Sequence, residues 1–96
     1  MVRIPRHVES TIRSLHPELK RRVRAALDLV RSSPQTGKML KGELKGWQSL
    51  RVSRFRIIYR ESRGIIEVAA IGPRTSIYVE TERLLRRSSR GGSRKQ

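Results

Sequence analysis

Residues 37–78 read GKMLKGELKGWQSLRVSRFRIIYRESRGIIEVAAIGPRTSIY, and this stretch decides the fold. Three runs inside it, 47–52, 55–60 and 65–71, are rich in β-branched and aromatic residues and are separated by Ser53-Arg54 and by Ser62-Arg63-Gly64. Such runs with short turn-forming breaks predict consecutive strands joined as hairpins, an antiparallel meander. In the middle run Phe55, Ile57 and Tyr59 fall on one face and Arg56, Ile58 and Arg60 on the other, because side chains alternate along a strand. The first set is expected to pack on the core, with Arg56 on the reverse side. Neighbouring strands lie only about 4.8 Å apart, so Arg51, Arg56 and Arg74, on successive segments, can converge on one sheet face with Tyr78 just past the last. Fixed cations gathered in this way suit phosphate.

Working outward, residues 35–46 are rich in Gly and Lys and hold Lys38, Lys41 and Lys45, which predicts an exposed loop. Upstream, Val8, Ile12 and Leu15 recur on one helical face from about Pro5. A second helix opens at Pro17, where the missing N–H costs nothing, and carries an apolar stripe of Leu19, Val23, Ala26, Leu27 and Val30 up to Ser32-Ser33-Pro34. Its other face bears Lys20, Arg21, Arg22, Arg24 and Arg31 and reads as a solvated surface. Downstream, Gly72-Pro73 ends the third strand, and residues 77–87 are expected to form a short closing helix on Val79, Leu84 and Leu85. Residues 88–96, SSRGGSRKQ, lack any apolar side chain and are expected to be a disordered basic tail. Residues 1–87 then make a single domain.

At 96 residues the chain can bury one core. Its 23 Lys and Arg against 8 Asp and Glu give a formal charge of +15, which points to a polyanionic partner such as nucleic acid or the ribosome. With no Cys it forms neither a disulfide framework nor a thiolate metal site. The N-terminal residues lack the apolar run of a signal peptide, and nothing approaches the roughly 20 apolar residues that span a bilayer. A cytoplasmic setting without a membrane partner is the expectation.

Arginine suits phosphoryl chemistry because its guanidinium stays charged and grips two phosphate oxygens at once. Cleavage of RNA by its own 2′-OH needs in-line positioning, stabilisation of charge on the transition state, and proton transfer at both ends. Arginines supply the first two; Tyr78, Lys41 and Lys45 are the candidates for moving protons. Arg51 and Arg56 have a competing structural reading as cross-strand partners of Glu61 or Glu67, and Tyr78 one as a core aromatic. Phe55 reads as core, whereas Trp47 reads equally as core or as a base-stacking platform. His7 and His16 stand nine residues apart without a carboxylate cluster, and only Glu80 and Glu82 lie close together among the acids. No metal site and no cofactor are therefore expected.

These residues resemble the RelE/ParE superfamily of bacterial and archaeal toxins. The resemblance rests on Met39-Leu40-Lys41-Gly42, Trp47-Gln48-Ser49-Leu50-Arg51-Val52, Arg54-Phe55-Arg56-Ile57-Ile58-Tyr59, Ile71-Gly72-Pro73-Arg74 and Tyr78, in order across roughly residues 6 to 85. It implies an α+β fold with two N-terminal helices packed on a small curved antiparallel sheet, and an acidic antitoxin held with the toxin in a hetero-oligomer. RelE-type members cut mRNA in the ribosomal A site without metal, and ParE-type members inhibit DNA gyrase. By position, Arg56 resembles the arginine that stabilises transition-state charge, Arg74 a second phosphate-binding arginine, and Tyr78 the C-terminal catalytic tyrosine. Lys38, Lys41, Lys45, Arg51 and Trp47 are the remaining RNA- or phosphate-binding candidates.

Two departures stand out. Where RelE-type enzymes carry lysines on a strand, this chain has Trp47 and Ser49, so that strand offers no general base. The usual long first strand is cut to Val2-Arg3-Ile4 before Pro5, leaving it absent or a short edge. The functional expectation is a type II toxin acting as a metal-independent, ribosome-dependent mRNA endoribonuclease that blocks translation. The alternatives are a ParE-like gyrase inhibitor and a non-catalytic basic RNA-binding protein.

Overall fold

Val8 and Ile12, one helical turn apart, are the buried residues of a first helix, α1 (Arg6–Ser14). Pro17 opens α2 (Pro17–Ser32), with Glu18 in the first turn and Arg31 in the last, each sign placed where the helix dipole favours it. Val23, Leu27 and Val30 line its buried face. The computed structural model describes residues 1–93, and the two helices lie against one face of a five-stranded sheet.

The sheet strands are β1 (Val2–Arg3), β2 (Lys38–Met39), β3 (Gln48–Val52), β4 (Phe55–Ser62) and β5 (Ile65–Pro73), in spatial order β1-β5-β4-β3-β2. The meander β3-β4-β5 is antiparallel and has the register that the hairpins require. Val52 and Phe55 close the first hairpin around Ser53-Arg54, with Ser53 at φ 58, the positive φ that a type II′ turn needs at its first central residue. Between Ile58 and Tyr59 the pairing shifts, so that Ala69 faces no partner residue. The Nε2–H of His7 donates to the Ala69 carbonyl at 2.9 Å, which ties α1 to this irregularity.

Three expectations change. The sheet is mixed, because β1 pairs parallel with β5 at Val2↔Ile66 and Arg3↔Glu67. Three reversals from β2 onward bring β5 alongside β1 in the same direction. The segment 35–46 is not a plain loop. It forms a 3-10 turn at Pro34–Thr36, the edge strand β2, and a second 3-10 turn at Gly42–Leu44 that buries Leu44. The closing helix α3 (Ile77–Ser93) runs past residue 87, as no proline intervenes to stop it. The expected tail thus begins inside a helix, and its last part, residues 94–96, lies outside the described residues.

Two cores result. On the α1/α2 side, Val8, Ile12, Val23, Leu27 and Val30 meet Val52, Ile57, Tyr59, Ile66, Val68 and Ile71, with Phe55 packed at the margin. On the reverse side a smaller core joins Trp47, Ile58 and Ala70 to Ile77 of α3, flanked by Tyr78, Leu84 and Leu85. In α3 it is Ile77 and Thr81 that are buried, while Val79 points outward at 52 % exposure. The Thr81 hydroxyl is satisfied by the Ile77 carbonyl at 2.7 Å.

Candidate functional site

Each strand of the meander contributes one position to a row across the reverse face: Arg51 of β3 opposite Arg56 of β4, opposite Gly72 of β5. Directly opposed like charges destabilise a sheet. Here they are kept, and a cleft of about 350 Å³ gathers more of them, lined by Arg51, Ser53, Arg54, Arg56, Pro73, Arg74 and Thr75. The Arg74 N–H donates to the Arg54 carbonyl at 3.1 Å, which fastens the β5 exit to the β3–β4 turn. A side chain at position 72 would come within 3.0 Å of Ile77 Cδ1, so glycine there lets α3 settle on the sheet beside Arg56.

The electrostatics of this cleft are one-sided. Among the described residues none of its four arginines pairs with a carboxylate: Glu67 goes to Arg60 at 2.8 Å and to Arg3 at 3.7 Å, and Glu43 goes to Arg86 at 2.9 Å. The cross-strand pairing that Glu61 or Glu67 offered as the structural reading of Arg51 and Arg56 is thus not made. Arg51 Nε reaches only the Ser53 carbonyl, at 3.4 Å, and the Nε–H of Arg56 is buried without an acceptor. Buried donors are nearly always satisfied, so among the described residues Arg56 stands out for an Nε–H that lacks a protein partner. Among the described residues no three His, Asp or Glu side chains gather as a metal-ligand set.

Two positions before Arg51 on the same strand, Ser49 points to the same face, roughly 6.6 Å along. Its Oγ lies 3.0 Å from the hydroxyl of Tyr78. Tyr78 is half-buried beside the second core: the ring packs, and the hydroxyl is held by Ser49 on the arginine side of the sheet. Lys38 is opposite Ser49 in the β2–β3 register and is exposed. Lys41 and Lys45 flank the turn Gly42–Leu44, exposed and outside the strands.

Trp47 is not a stacking platform. It is 9 % exposed within the second core, and the Arg60 guanidinium sits over its ring, 4.4 Å from the centroid, a cation–π contact. Its packing with Ile58, Ala70 and Ile77 explains the burial. Arg54 was not among the expected site residues. Its signal was its position in a two-residue hairpin turn, which sets it at the strand ends beside Arg74.

The second tyrosine has a different job. Tyr59 is fully buried, donates its hydroxyl to the Pro34 carbonyl at 2.7 Å and accepts the Gly37 N–H at 2.7 Å. Burial pushes its pKa above the ordinary 10.0, with the Gly37 hydrogen bond opposing the shift. Gln48 Nε2 donates to the Gly37 carbonyl at 3.1 Å, so both backbone groups of Gly37 are held by buried side chains. A Cβ there would lie 2.6 Å from the Tyr59 oxygen.

Known proteins agree with this architecture. The structure is similar to the isolated E. coli RelE toxin, with a TM-score of 0.68 and 17 % identity over 88 % of this chain and 97 % of that one. A chain of the RelBE2 toxin–antitoxin complex from Mycobacterium tuberculosis superposes with a TM-score of 0.60 and 26 % identity, covering 77 % of this chain and 96 % of that one. A chain of the YoeB–YefM complex from Staphylococcus aureus gives a TM-score of 0.64 at 14 % identity, over 74 % and 92 %. No curated protein matches the sequence significantly. The family model for the ParE toxin of type II toxin–antitoxin systems, parDE, matches residues 3–78, from β1 through the site to Tyr78. By that match, with the arginine row and the RelE-like fold inside it, the chain belongs to the ParE toxin family, within the RelE/ParE superfamily of type II toxins.

Proposed function

We propose that this toxin is a RelE-like mRNA endoribonuclease that works on translating ribosomes without a metal ion and so stops translation. The observation that carries the reading is the unneutralised arginine row. Arg51 and Arg56 oppose each other across strands, Arg54 and Arg74 line the same cleft, and Arg56 has a buried donor with nothing to bind. A scissile phosphate bound in the cleft supplies the counter-charge that, among the described residues, no carboxylate gives these arginines. Arg56 and Arg74 hold its non-bridging oxygens while the 2′-oxygen of the RNA attacks phosphorus, and they stabilise the added charge of the transition state. The products are a 2′,3′-cyclic phosphate and a 5′-hydroxyl. Tyr78, its hydroxyl oriented by Ser49, supplies a proton to the leaving 5′-oxygen.

The partners of this reading are the ribosome with its mRNA, which the net charge of +15 favours, and an acidic antitoxin that masks the basic face in a hetero-oligomer. The three related structures include two toxin–antitoxin complexes, which supports such a partner here. Primer extension on translating ribosomes, with the cleaved ends analysed, tests the proposal: cleavage ending in 2′,3′-cyclic phosphate is expected, and intact mRNA, or cleavage that leaves no cyclic phosphate, would overturn it.

A second reading, gyrase inhibition, is favoured by one specific observation, that the matching family model is the ParE toxin. A supercoiling assay run beside the primer extension separates the two. Inhibited gyrase with intact mRNA establishes the second reading in place of the first.

A further inference from the structure

Arginines hold phosphate but do not move protons near neutral pH, and Ser49 of β3, with Trp47 just before the strand, stands where a basic group would serve. One proton donor, Tyr78, leaves the 2′-OH without an acceptor for its own proton. The sheet register indicates where the acceptor comes from. Lys38 of the edge strand β2 lies directly opposite Ser49, so their Cβ atoms are about 4.5–5.5 Å apart on the same face. Ser49 Oγ in turn meets the Tyr78 hydroxyl at 3.0 Å. Lys41 and Lys45, one at each end of the turn Gly42–Leu44, have no such register position.

A two-residue edge strand would ordinarily fray, yet both backbone groups of Gly37, just before Lys38, are held by buried side chains. The Gly37 N–H is bound by Tyr59 at 2.7 Å and its carbonyl by Gln48 at 3.1 Å, both contacts buried. Tyr59 also ties the preceding turn through Pro34, and only glycine fits at position 37, because a Cβ there would meet the Tyr59 ring and hydroxyl. This clamp holds an exposed lysine in place while its head stays free: among the described residues Lys38 makes no ion pair.

We infer that Lys38 is the general base of the cleavage reaction, a role that rests on the ribonuclease reading above. In its free-amine form Lys38 Nζ takes the proton of the 2′-OH as the 2′-oxygen bonds to phosphorus. The bond from phosphorus to the 5′-oxygen breaks, and that oxygen receives the proton of Tyr78. The site is left with a lysine ammonium and a tyrosinate, and a proton passes from the first to the second by way of the Ser49 hydroxyl or water, which resets it. Atoms and charge balance without a metal or other co-reactant. Around Lys38, the titratable and charged groups are Tyr78 from α3, Arg51 farther along β3, Lys41 and Lys45 beside the following turn, and Glu43 of that turn paired with Arg86 of α3.

The test compares single-turnover mRNA cleavage by the full-length wild type, Lys38→Arg and Lys38→Ala at saturating ribosomes. Lys38 is exposed, so both variants keep the fold. Arginine preserves charge and phosphate contact but cannot serve as a base. Lys38→Arg is expected to bind ribosomes as the wild type does and to cleave at least about 10²-fold more slowly, the lower end of what general-base catalysis contributes. Lys38→Ala should fall at least as far. Lys38→Arg cleaving at the wild-type rate overturns the role and leaves Lys38 a phosphate contact. A wild-type chain that cleaves no mRNA overturns instead the reading on which the role rests.

Discussion

The two faces of the sheet are built from the same strands and do opposite things. On the α1/α2 face, Ile57 and Tyr59 are sealed among apolar neighbours from two helices. One residue away, Arg56 faces the other side with a buried N–H that none of the described residues accepts. On the first face the deep polar groups are satisfied, the Tyr59 hydroxyl by Pro34 and Gly37 and the Gln48 amide by Gly37. The reverse face has a small core under α3 and, beside it, cations opposed across strands. Stability is concentrated on one face, and unbalanced charge is tolerated on the other, where a polyanion can supply the missing partner.

Substitutions on each face can break that contrast. The largest effect is expected from Ile57→Ala, which empties the centre of the main core. It should cost about 2–5 kcal/mol of unfolding free energy, read by urea denaturation. A loss below 1 kcal/mol would mean that the α1/α2 face is not where stability resides. Tyr59→Phe comes next. It leaves the Gly37 N–H and the Pro34 carbonyl unpaired in a buried setting, at about 1–3 kcal/mol.

Tyr59 also makes a pH prediction. Its folded pKa is raised by burial above 10.0, so the folded state prefers the protonated phenol. Its contribution is complete below the unfolded value near 10 and is lost as the pH rises from there toward the folded value. Wild type should therefore lose stability above pH 10 more steeply than Tyr59→Phe, which cannot ionise. Parallel curves would show that burial does not perturb this hydroxyl. The smallest effect, and the sharpest contrast, is Arg51→Ala. Removing one of two opposed like charges should leave stability unchanged or raise it by about 0.2–1 kcal/mol, while weakening RNA binding and its salt dependence. A destabilised Arg51→Ala would mean that the arginine row is structural.

Much of this was legible in the sequence because it repeats. Helical periodicity located α1 and α2 through Val8, Ile12, Val23, Leu27 and Val30, and alternation assigned Phe55, Ile57 and Tyr59 to the core face. The second core was not legible. Ile58 sits between Arg56 and Arg60 in a pattern that reads as solvent-facing, and its 0 % exposure comes from Ile77, nineteen positions later, docking over it. The strands β1 and β2, two residues each, are too short to carry any period. For the site, Arg51, Arg56 and Arg74 were placed by strand order alone. Arg54 was hidden because a residue in a turn has no face until the hairpin register is known. Trp47 reads equally as core or as a stacking platform, because nothing local shows Arg60 lying over its ring.

The contrast between faces comes to a head at Arg56, which is set within the sheet and which the proposed reaction uses to stabilise transition-state charge. Arg56→Ala, with Arg74→Ala beside it, should be measured by single-turnover cleavage of ribosome-bound mRNA together with thermal unfolding. The expected result is a loss of about 10²–10³-fold in cleavage, the cost of removing one preorganised charge-stabilising donor, with ribosome affinity and melting temperature close to wild type. Cleavage at wild-type rates, or a loss explained wholly by unfolding, would contradict the account.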